Sequence, residues 1–420
     1  MHRTNNSKPF SDLKVALVYD HLTTAYGGAE LVLQTLHSIF PSAPIYTSVY
    51  DIPTNNWAAN YQVVPSFLQK IPVLRKLHQL LAPLHPLAFE SFDLKEFDII
   101  ISVSNGPSKG VITLPRQLHI CYLLSPTRYL ALDTQELQNY IQSQPLLALP
   151  GMKYIIMPLL RYLKRWDQIA AHRPDVIIAI SGLVANRVKT IYNRPVDEVI
   201  YPPFQVTQNV PSTDSLPSFL LCLSRLTSYK RIDLAIAAVK QTQDILVIAG
   251  SGIELKKLLQ LAGSLAYQRN SEESISDAIT SAINNNNKII FLSTVTESEK
   301  NILLKNCTAL LMPGEEDFGL VGLEAAQYGK PVITYHKSGI AEVLKDGKQA
   351  IHTQEKSVEA VVSAIRRISE VKLTSKKISE SIQEYEIAWF RELFHKTIYH
   401  FWQQHSTIAP VKKKLEYHTK

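Results

Sequence analysis

The stretch ALLMPGEEDFGLVGLEAAQYGKPVITYH, residues 309–336, contains two apolar runs separated by an acidic loop and a helix-like segment. Short, nearly continuous apolar runs are typical of strands buried on both faces, as in a parallel sheet covered by helices. Gly329 and Pro331 mark the end of the helix before the next strand. The stretch therefore predicts one strand–helix–strand unit, with strands over 309–314 and 331–336.

The same alternation runs through the rest of the chain. It predicts further strands over 14–20, 45–51, 97–104, 118–125 and 175–181, and then over 219–226, 244–252 and 288–295. The segment 201–219 interrupts the pattern with four prolines and reads as a linker. We therefore predict an α/β protein of two doubly wound, Rossmann-like domains facing a cleft, which is the default ligand site. The predicted boundaries are 1–204 and 205–385, with a C-terminal helix and basic tail over 386–420.

Composition narrows the class of protein. Three scattered cysteines favour a reducing compartment with buried thiols over a disulfide framework or a Cys-ligated metal site. The absence of a recognisable secretory signal or an apolar run of about 18 residues favours a cytoplasmic protein. A net charge of +7 favours acidic partners such as phosphate-bearing ligands or anionic lipid. Nucleic acid is not expected, because the cations cluster at strand ends and in the tail and form no stripe interleaved with aromatic residues.

The loop after the first predicted strand carries Gly27 and Gly28 just before a helix. Adjacent glycines let backbone N–H groups approach a ligand closely, and a helix N-terminus favours negative charge. The third glycine of a dinucleotide-binding fingerprint is missing. An ordinary tight turn remains the alternative interpretation.

Three cations lie at the start of the second domain, in SRLTSYKRIDLAI, residues 224–236. Arg225 lies at the end of the predicted strand, and Lys230 and Arg231 lie at the start of the next helix. Cations at the carboxyl end of a strand, where ligands of such sheets dock, suit a diphosphate. The alternative is a solvated basic turn.

The acidic loop and helix of the first stretch carry four acids. Glu315 and Asp317 are explained by the dipole of the following helix, but this does not explain Glu324 among apolar neighbours. Glu316 and Glu324 are predicted to face the ligand, with Glu324 accepting from ribose hydroxyls. The backbone N–H groups that open the helix are candidates to hold a phosphate; they belong to Phe318, Gly319 and Leu320.

In combination, GGAE, SRLTSYKRID and the acids of EEDFGLVGLE resemble glycosyltransferase family 4, and the similarity extends from about residue 14 to 370. SPTRYL (125–130), RYLKRWDQIAAHRPDVIIAIS (161–181) and VIYPPF (199–204) resemble bacterial mannosyltransferases of polysaccharide assembly. The resemblance implies a GT-B fold and a retaining, nucleotide-sugar-dependent hexosyl transfer. It also implies a saccharide or lipid-linked acceptor and no cofactor. GDP-mannose is the favoured donor, and this preference rests only on the resemblance to the mannosyltransferase subgroup.

The resemblance also assigns roles to residues. It implies that Glu316 contacts the donor sugar, that Glu324 binds ribose, and that Arg225 and Lys230 neutralise the diphosphate. Gly27 and Gly28 would lie against the phosphates and the acceptor, and Lys109 and Arg128 are further candidates in the first domain. No Asp-x-Asp motif is present, so no metal is expected.

The chain departs from the family pattern at two positions. Leu124, before SPTRYL, and Asn105 stand where relatives carry histidine. These departures raise an alternative, a catalytically degenerate protein that binds a nucleotide sugar and supports a partner enzyme. The basic apolar segment 66–89 predicts either a packed helix pair or docking at the cytoplasmic face of a membrane.

Overall fold

The computed structural model describes residues 10–24, 26–71, 83–127, 130, 152–205, 216–371 and 374–416. The chain forms two compact units. Unit 1 comprises Met1–Pro203 and Ile387–Lys420, and unit 2 comprises Phe204–Glu386. Most of the predicted linker, residues 206–215, lies outside the described residues, as does the centre of the segment 66–89.

Unit 1 is built on a parallel sheet that has seven strands in the described part of the chain, in the order β3-β2-β1-β4-β5-β6-β7. Its strands are β1 Val15–Tyr19, β2 Ile45–Thr47, β3 Val63–Pro65, β4 Ile99–Ser104, β5 Leu118–Leu123, β6 Val176–Ala179 and β7 Glu198–Val199. Its helices before unit 2 are α1 Gly28–Ile39, α2 His85–Glu90, α3 Met152–Ala170 and α4 Gly182–Tyr192.

Unit 2 repeats this design with seven described parallel strands in the order β10-β11-β9-β8-β12-β13-β14. The strands are β8 Leu220–Leu223, β9 Leu246–Ala249, β10 Ala266–Gln268, β11 Ile289–Phe291, β12 Ala309–Met312, β13 Val332–Tyr335 and β14 Ala350–Thr353. The helices are α5 Ile232–Thr242, α6 Leu255–Ala262, α7 Ile275–Asn284, α8 Glu297–Asn306, α9 Leu320–Gln327, α10 Gly339–Val343, α11 Val358–Arg366 and α12 Ser375–Glu380.

The prediction of two doubly wound α/β domains is confirmed, and every predicted strand is present. The sequence missed β3, β7, β10 and β14, which are the outermost strands of the two sheets. An edge strand pairs with another strand on one side only. Because it is less buried than an interior strand, its apolar run is shorter. β7, for example, contains two residues, one exposed and one half-buried. The apolar pattern therefore identifies the interior of each sheet but not its edges.

The last helix, α13 Ile387–Glu416, packs on unit 1 through aromatic side chains. Phe390 and Phe394 are fully buried and stack on each other with ring centroids 5.2 Å apart. Both meet the ring of Tyr122 on β5 edge-on, at 5.8 and 5.5 Å. No helix in the described ranges is long and apolar enough to cross a membrane.

Replacing Phe394 by alanine should remove this packing and leave a cavity against β5. We expect a loss of about 3–5 kcal/mol in the free energy of unfolding, measured by urea denaturation. Lys396→Ala on the same helix is the control, because Lys396 is 69% exposed and should cost less than about 0.5 kcal/mol. Equal losses in the two variants would contradict the docking of α13.

A buried histidine lies within the sheet of unit 1. His119 on β5 is fully buried; its Nε2 lies 2.9 Å from Ser102 Oγ, and its Nδ1 has no partner among the described residues. Burial, reinforced by the nearby Arg194 and Arg173, lowers the pKa of His119 to about 3. The imidazole is therefore neutral in the folded chain at all ordinary pH values.

This histidine should make unit 1 sensitive to acid. The unfolded chain binds a proton at His119 near pH 6.5, whereas the folded chain does not bind it until about pH 3. Because the unfolded state holds more protons in this window, stability should fall as the pH falls, by up to about 1.4 kcal/mol per pH unit. His119→Gln should flatten the slope of unfolding free energy against pH between 6.5 and 4.

Candidate functional site

The predicted site residues of unit 2 follow two strands that lie side by side. β8 and β12 pair in parallel, so the loops after them leave the same edge of the sheet. The loops also touch: a Cβ added to Gly314 would lie 2.2 Å from the carbonyl oxygen of Tyr229 and 2.8 Å from the carbonyl carbon of Lys230. Only glycine permits this approach, and it brings Lys230 beside the acidic loop.

Lys230 and Glu316 form an ion pair across these loops. The Lys230 Nζ donates to both carboxylate oxygens, and the two side chains are only 15% and 11% exposed. The backbone of Glu316 is also held, because its N–H donates to Ser338 Oγ at 3.2 Å and its carbonyl accepts from Gly339 N at 2.9 Å. The structure thus brings together two residues that the sequence separates by 86 positions.

The helix after Glu316 begins where the sequence predicts. α9 starts at Leu320, and Gly319 is its N-cap at φ +98°, in the left-handed region that favours glycine. Phe318 is 3% exposed and anchors the loop in the core of unit 2. The proposed phosphate contacts of these three N–H groups remain a prediction.

Glu324 also has a cationic partner, which the sequence did not reveal. Lys300 on α8 donates to Glu324 Oε1 at 3.0 Å and lies 2.8 Å from Glu297 Oε2. Burial lowers the pKa of Lys300, but the two carboxylates raise it by more, so the ammonium stays charged. Nothing in the chain signals this pair, because α8 and α9 are placed together only by the fold.

Glu315 differs from its neighbour Glu316. Its carboxylate lies 3.2 Å from the Nζ of Lys356, and these side chains are 24% and 39% exposed. Glu315, Glu316 and Glu324 therefore pair with three different lysines. Glu316 has the most enclosed partner.

The other two cations of the loop after β8, Arg225 and Arg231, differ in exposure and in partners. Arg225 is exposed, and its guanidinium makes no hydrogen bond or ion pair with any residue in the described ranges. Arg231 pairs instead with Asp233 at 3.0 Å and lines a surface depression between α5 and α6, together with Thr227 and Glu254. Arg225 is thus available for an anionic ligand, whereas Arg231 already has a carboxylate.

The glycine pair of unit 1 lies where it was predicted. Gly27 is the N-cap of α1 and Gly28 its first residue. The acid that follows is not directed to solvent: Glu30 is 4% exposed and accepts from the Tyr19 hydroxyl at 2.8 Å. Burial and this carboxylate raise the pKa of Tyr19. Glu30 therefore ties the start of α1 to the end of β1.

The remaining candidates of unit 1 differ in accessibility. Lys109 is 1% exposed and donates to Gly106 O, Thr127 Oγ1 and the Asp167 carboxylate, which uses all three donors of its ammonium. Leu124 is 7% exposed, whereas Asn105 is exposed. Arg128 lies outside the described residues.

Comparison with known proteins gives this geometry a context. Residues 206–385 match the family model "Glycosyl transferases group 1". The chain is 30% identical over 215 residues to alpha-1,3/1,6-mannosyltransferase ALG2 of Saccharomyces cerevisiae, covering 43% of this chain and 42% of that protein. It is 25% identical over 223 residues to the uncharacterized glycosyltransferase MJ1607 of Methanocaldococcus jannaschii, covering 48% and 53%. The chain thus spans about half the length of these curated relatives, or less.

Solved structures share the fold over almost the whole chain. Anabaena Alr3699/HepE in complex with UDP-glucose superposes with a TM-score of 0.61 at 17% identity, covering 92% of this chain and 99% of that one. Sucrose-phosphate synthase from Thermosynechococcus elongatus gives a TM-score of 0.62 at 14% identity, covering 93% and 100%. The two seven-stranded parallel sheets are those of the GT-B fold. The matched family model identifies residues 206–385 as a group 1 glycosyltransferase domain.

The Lys230–Glu316 pair should be energetically distinct from the Lys356–Glu315 pair one residue away. Removing one partner of an enclosed charged hydrogen bond is costly, so a double-mutant cycle with Lys230→Met and Glu316→Gln should give a coupling of about 1.5–3 kcal/mol. The more exposed control cycle, Lys356→Met with Glu315→Gln, should give less than about 1 kcal/mol. Urea unfolding measures both, and equal couplings would contradict the enclosure of Glu316.

Proposed function

We propose that the protein is a retaining glycosyltransferase of family 4. It moves a hexosyl group from a nucleotide-diphosphate sugar to a saccharide or lipid-linked acceptor in glycan synthesis. The observation that carries the proposal is the Lys230–Glu316 pair. It lies at the carboxyl edge of unit 2, within the residues that match the group 1 glycosyltransferase model.

The proposed sugar transfer requires cations and a carboxylate at this edge of the sheet. Breaking the bond between the anomeric carbon and the diphosphate builds positive charge on the sugar and negative charge on the leaving group. Lys230 and Arg225 stabilise the diphosphate, and Glu316 contacts the sugar. The acceptor oxygen forms its bond on the face that the diphosphate leaves, and its proton passes to a phosphate oxygen of the leaving group. Glu324 accepts from the ribose hydroxyls.

In this mechanism Lys230 exchanges partners. Without a donor its ammonium is neutralised by Glu316, whereas Arg225 has no described anionic partner. An arriving diphosphate brings more negative charge than one carboxylate, so it competes for Lys230 and frees Glu316 to accept from a sugar hydroxyl. The pair therefore holds both side chains in place until the donor binds.

The proposed donor is GDP-mannose. The naming of several relatives as mannosyltransferases supports the mannosyl group; the GDP part rests on the subgroup resemblance. Thermal stabilisation by a panel of nucleotide sugars tests the choice, because a tightly bound donor raises the melting temperature by mass action. A larger shift with UDP-glucose, the molecule in the Alr3699/HepE complex, would replace GDP-mannose as the proposed donor.

We propose the cytoplasm as the compartment, with peripheral docking at the cytoplasmic face of a membrane if the acceptor is lipid-linked. The proposal rests on the net charge of +7 and the basic apolar segment 66–89. Sedimentation with vesicles of anionic and of neutral lipid measures the docking. Equal recovery of the protein in the supernatant with both kinds of vesicle would refute the docking.

A second candidate function is a binding protein without turnover. It is favoured by Leu124, which is apolar and nearly buried where relatives carry a histidine. Release of free sugar from a bound donor discriminates between the two, since a degenerate protein would bind the donor and release none.

The roles of the acids can be separated by substitution. Glu316→Gln should lower turnover of the donor at least a hundredfold without weakening nucleotide affinity, because its carboxylate acts at the sugar and competes with the diphosphate for Lys230. Glu324→Gln should weaken nucleotide affinity about tenfold through the lost ribose contact. Glu315→Gln should leave both unchanged. Turnover comes from sugar release, and affinity from calorimetric titration with GDP.

Thermal unfolding of the three variants is the control for folding, because each substitution also removes an ion pair. A Glu316→Gln variant that is folded and fully active would overturn the role of Glu316.

A further inference from the structure

Four buried side chains of unit 1 form a closed polar cluster, here called the loop clamp: Lys109, Thr127, Asp167 and Tyr192. All four are between 1% and 3% exposed. They come from the loop after β4, the loop after β5, helix α3 and helix α4. Since β4 and β5 pair in parallel, both loops leave the carboxyl edge of the sheet.

Asp167 is the centre of the loop clamp. One carboxylate oxygen accepts from Lys109 Nζ and from Thr127 Oγ1, the latter at 2.7 Å. The other oxygen accepts from the Tyr192 hydroxyl at 2.7 Å, and that hydroxyl accepts in turn from Thr127 N at 3.2 Å. Both oxygens are therefore satisfied, and a single carboxylate on α3 connects the two loops.

Lys109 closes the loop clamp from the β4 side. Its Nζ also donates to Gly106 O at 2.7 Å and to Thr127 Oγ1 at 3.0 Å. Burial lowers the pKa of Lys109, but Asp167 and Tyr192 raise it by more, so the net shift is upward and the ammonium stays charged. A buried charge with all its donors used is held rigidly, because releasing it would leave Asp167 unpaired in a desolvated site.

A second carboxylate, outside the loop clamp, holds the same loop. Asp20, at the end of β1, is 5% exposed and accepts from Asn105 N at 2.6 Å and from Ser108 N at 2.8 Å. The loop after β4 is thus fixed between Asp20 and Lys109. The residue that this arrangement leaves exposed is Asn105.

We propose that Lys109 is a positioning residue that holds the loops after β4 and β5 in register, and that it does not bind the donor. Through the loop clamp it fixes the backbone of Gly106, which follows Asn105, on one loop and of Thr127, which directly precedes Arg128 in the sequence, on the other. For its effect on catalysis this inference rests on the proposed transferase function. The holding of the loops is independent of that function.

Lys109→Met tests the proposal in the full-length protein, with Lys14→Met as the matched control. Lys14 pairs with Glu96 in the same unit, but these side chains are 59% and 64% exposed. We expect deuterium uptake at the backbone amides of 104–110 and 124–127 to become at least tenfold faster in Lys109→Met. Affinity for GDP and UDP should change less than twofold, while kcat for sugar release from GDP-mannose or UDP-glucose should fall at least tenfold. Lys14→Met should behave like the wild type in deuterium uptake, nucleotide affinity and kcat.

Tyr192→Phe provides a milder variant in case Lys109→Met does not fold. It removes one bond to Asp167 and the acceptor of Thr127 N, so uptake at 124–127 should still become faster. Unchanged uptake in the folded variants, or a tenfold loss of GDP or UDP affinity in Lys109→Met, would overturn the proposal. A wild-type protein that binds no nucleotide and releases no sugar would refute the proposed function, whereas deuterium uptake would still decide whether Lys109 holds the loops.

Discussion

The parallel pairing of β8 with β12 is the constraint on which the candidate site of unit 2 depends. It places two loops from distant parts of the chain at the same edge of the sheet, and Gly314 lets their backbones touch. A larger residue at this position would push the turn before α5 away and separate Lys230 from Glu316. The ion pair is thus a consequence of strand order and one missing side chain, and the function proposed for it depends on both.

The acids of the loop after β12 differ through the partners that the fold gives them. Glu316 and Glu315 are adjacent in the chain but face different lysines with different exposure. A carboxylate removed from water interacts more strongly with a nearby charge, because it is less screened. Glu316 is therefore better placed than Glu315 to act on a sugar, even though a sequence pattern presents the two as equivalent.

The two-domain fold and the interior strands could be predicted from the sequence, because apolar runs report burial on both faces of a strand. Edge strands such as β7 could not, since burial on one side leaves little pattern in two residues. Among the site residues, Glu316 and Lys230 were predicted singly, from acid and cation positions at strand ends. Their pairing, and that of Glu324 with Lys300, depends on packing between elements that no local pattern encodes.

Lys109 illustrates the same limit for function. In the sequence it is a cation near a strand end, and this position favours a ligand contact. In the structure, Lys109 is buried and pairs with the carboxylate of Asp167, which is 58 positions away. The remaining donors of its ammonium bond to the loops after β4 and β5. A lysine at the carboxyl edge of a sheet can thus serve a site in two ways, by meeting the anion or by fixing the loops that do. Lys230 and Lys109 both pair with a carboxylate, so accessibility separates them. Lys230 is 15% exposed, whereas Lys109 is 1% exposed and uses all three donors inside unit 1.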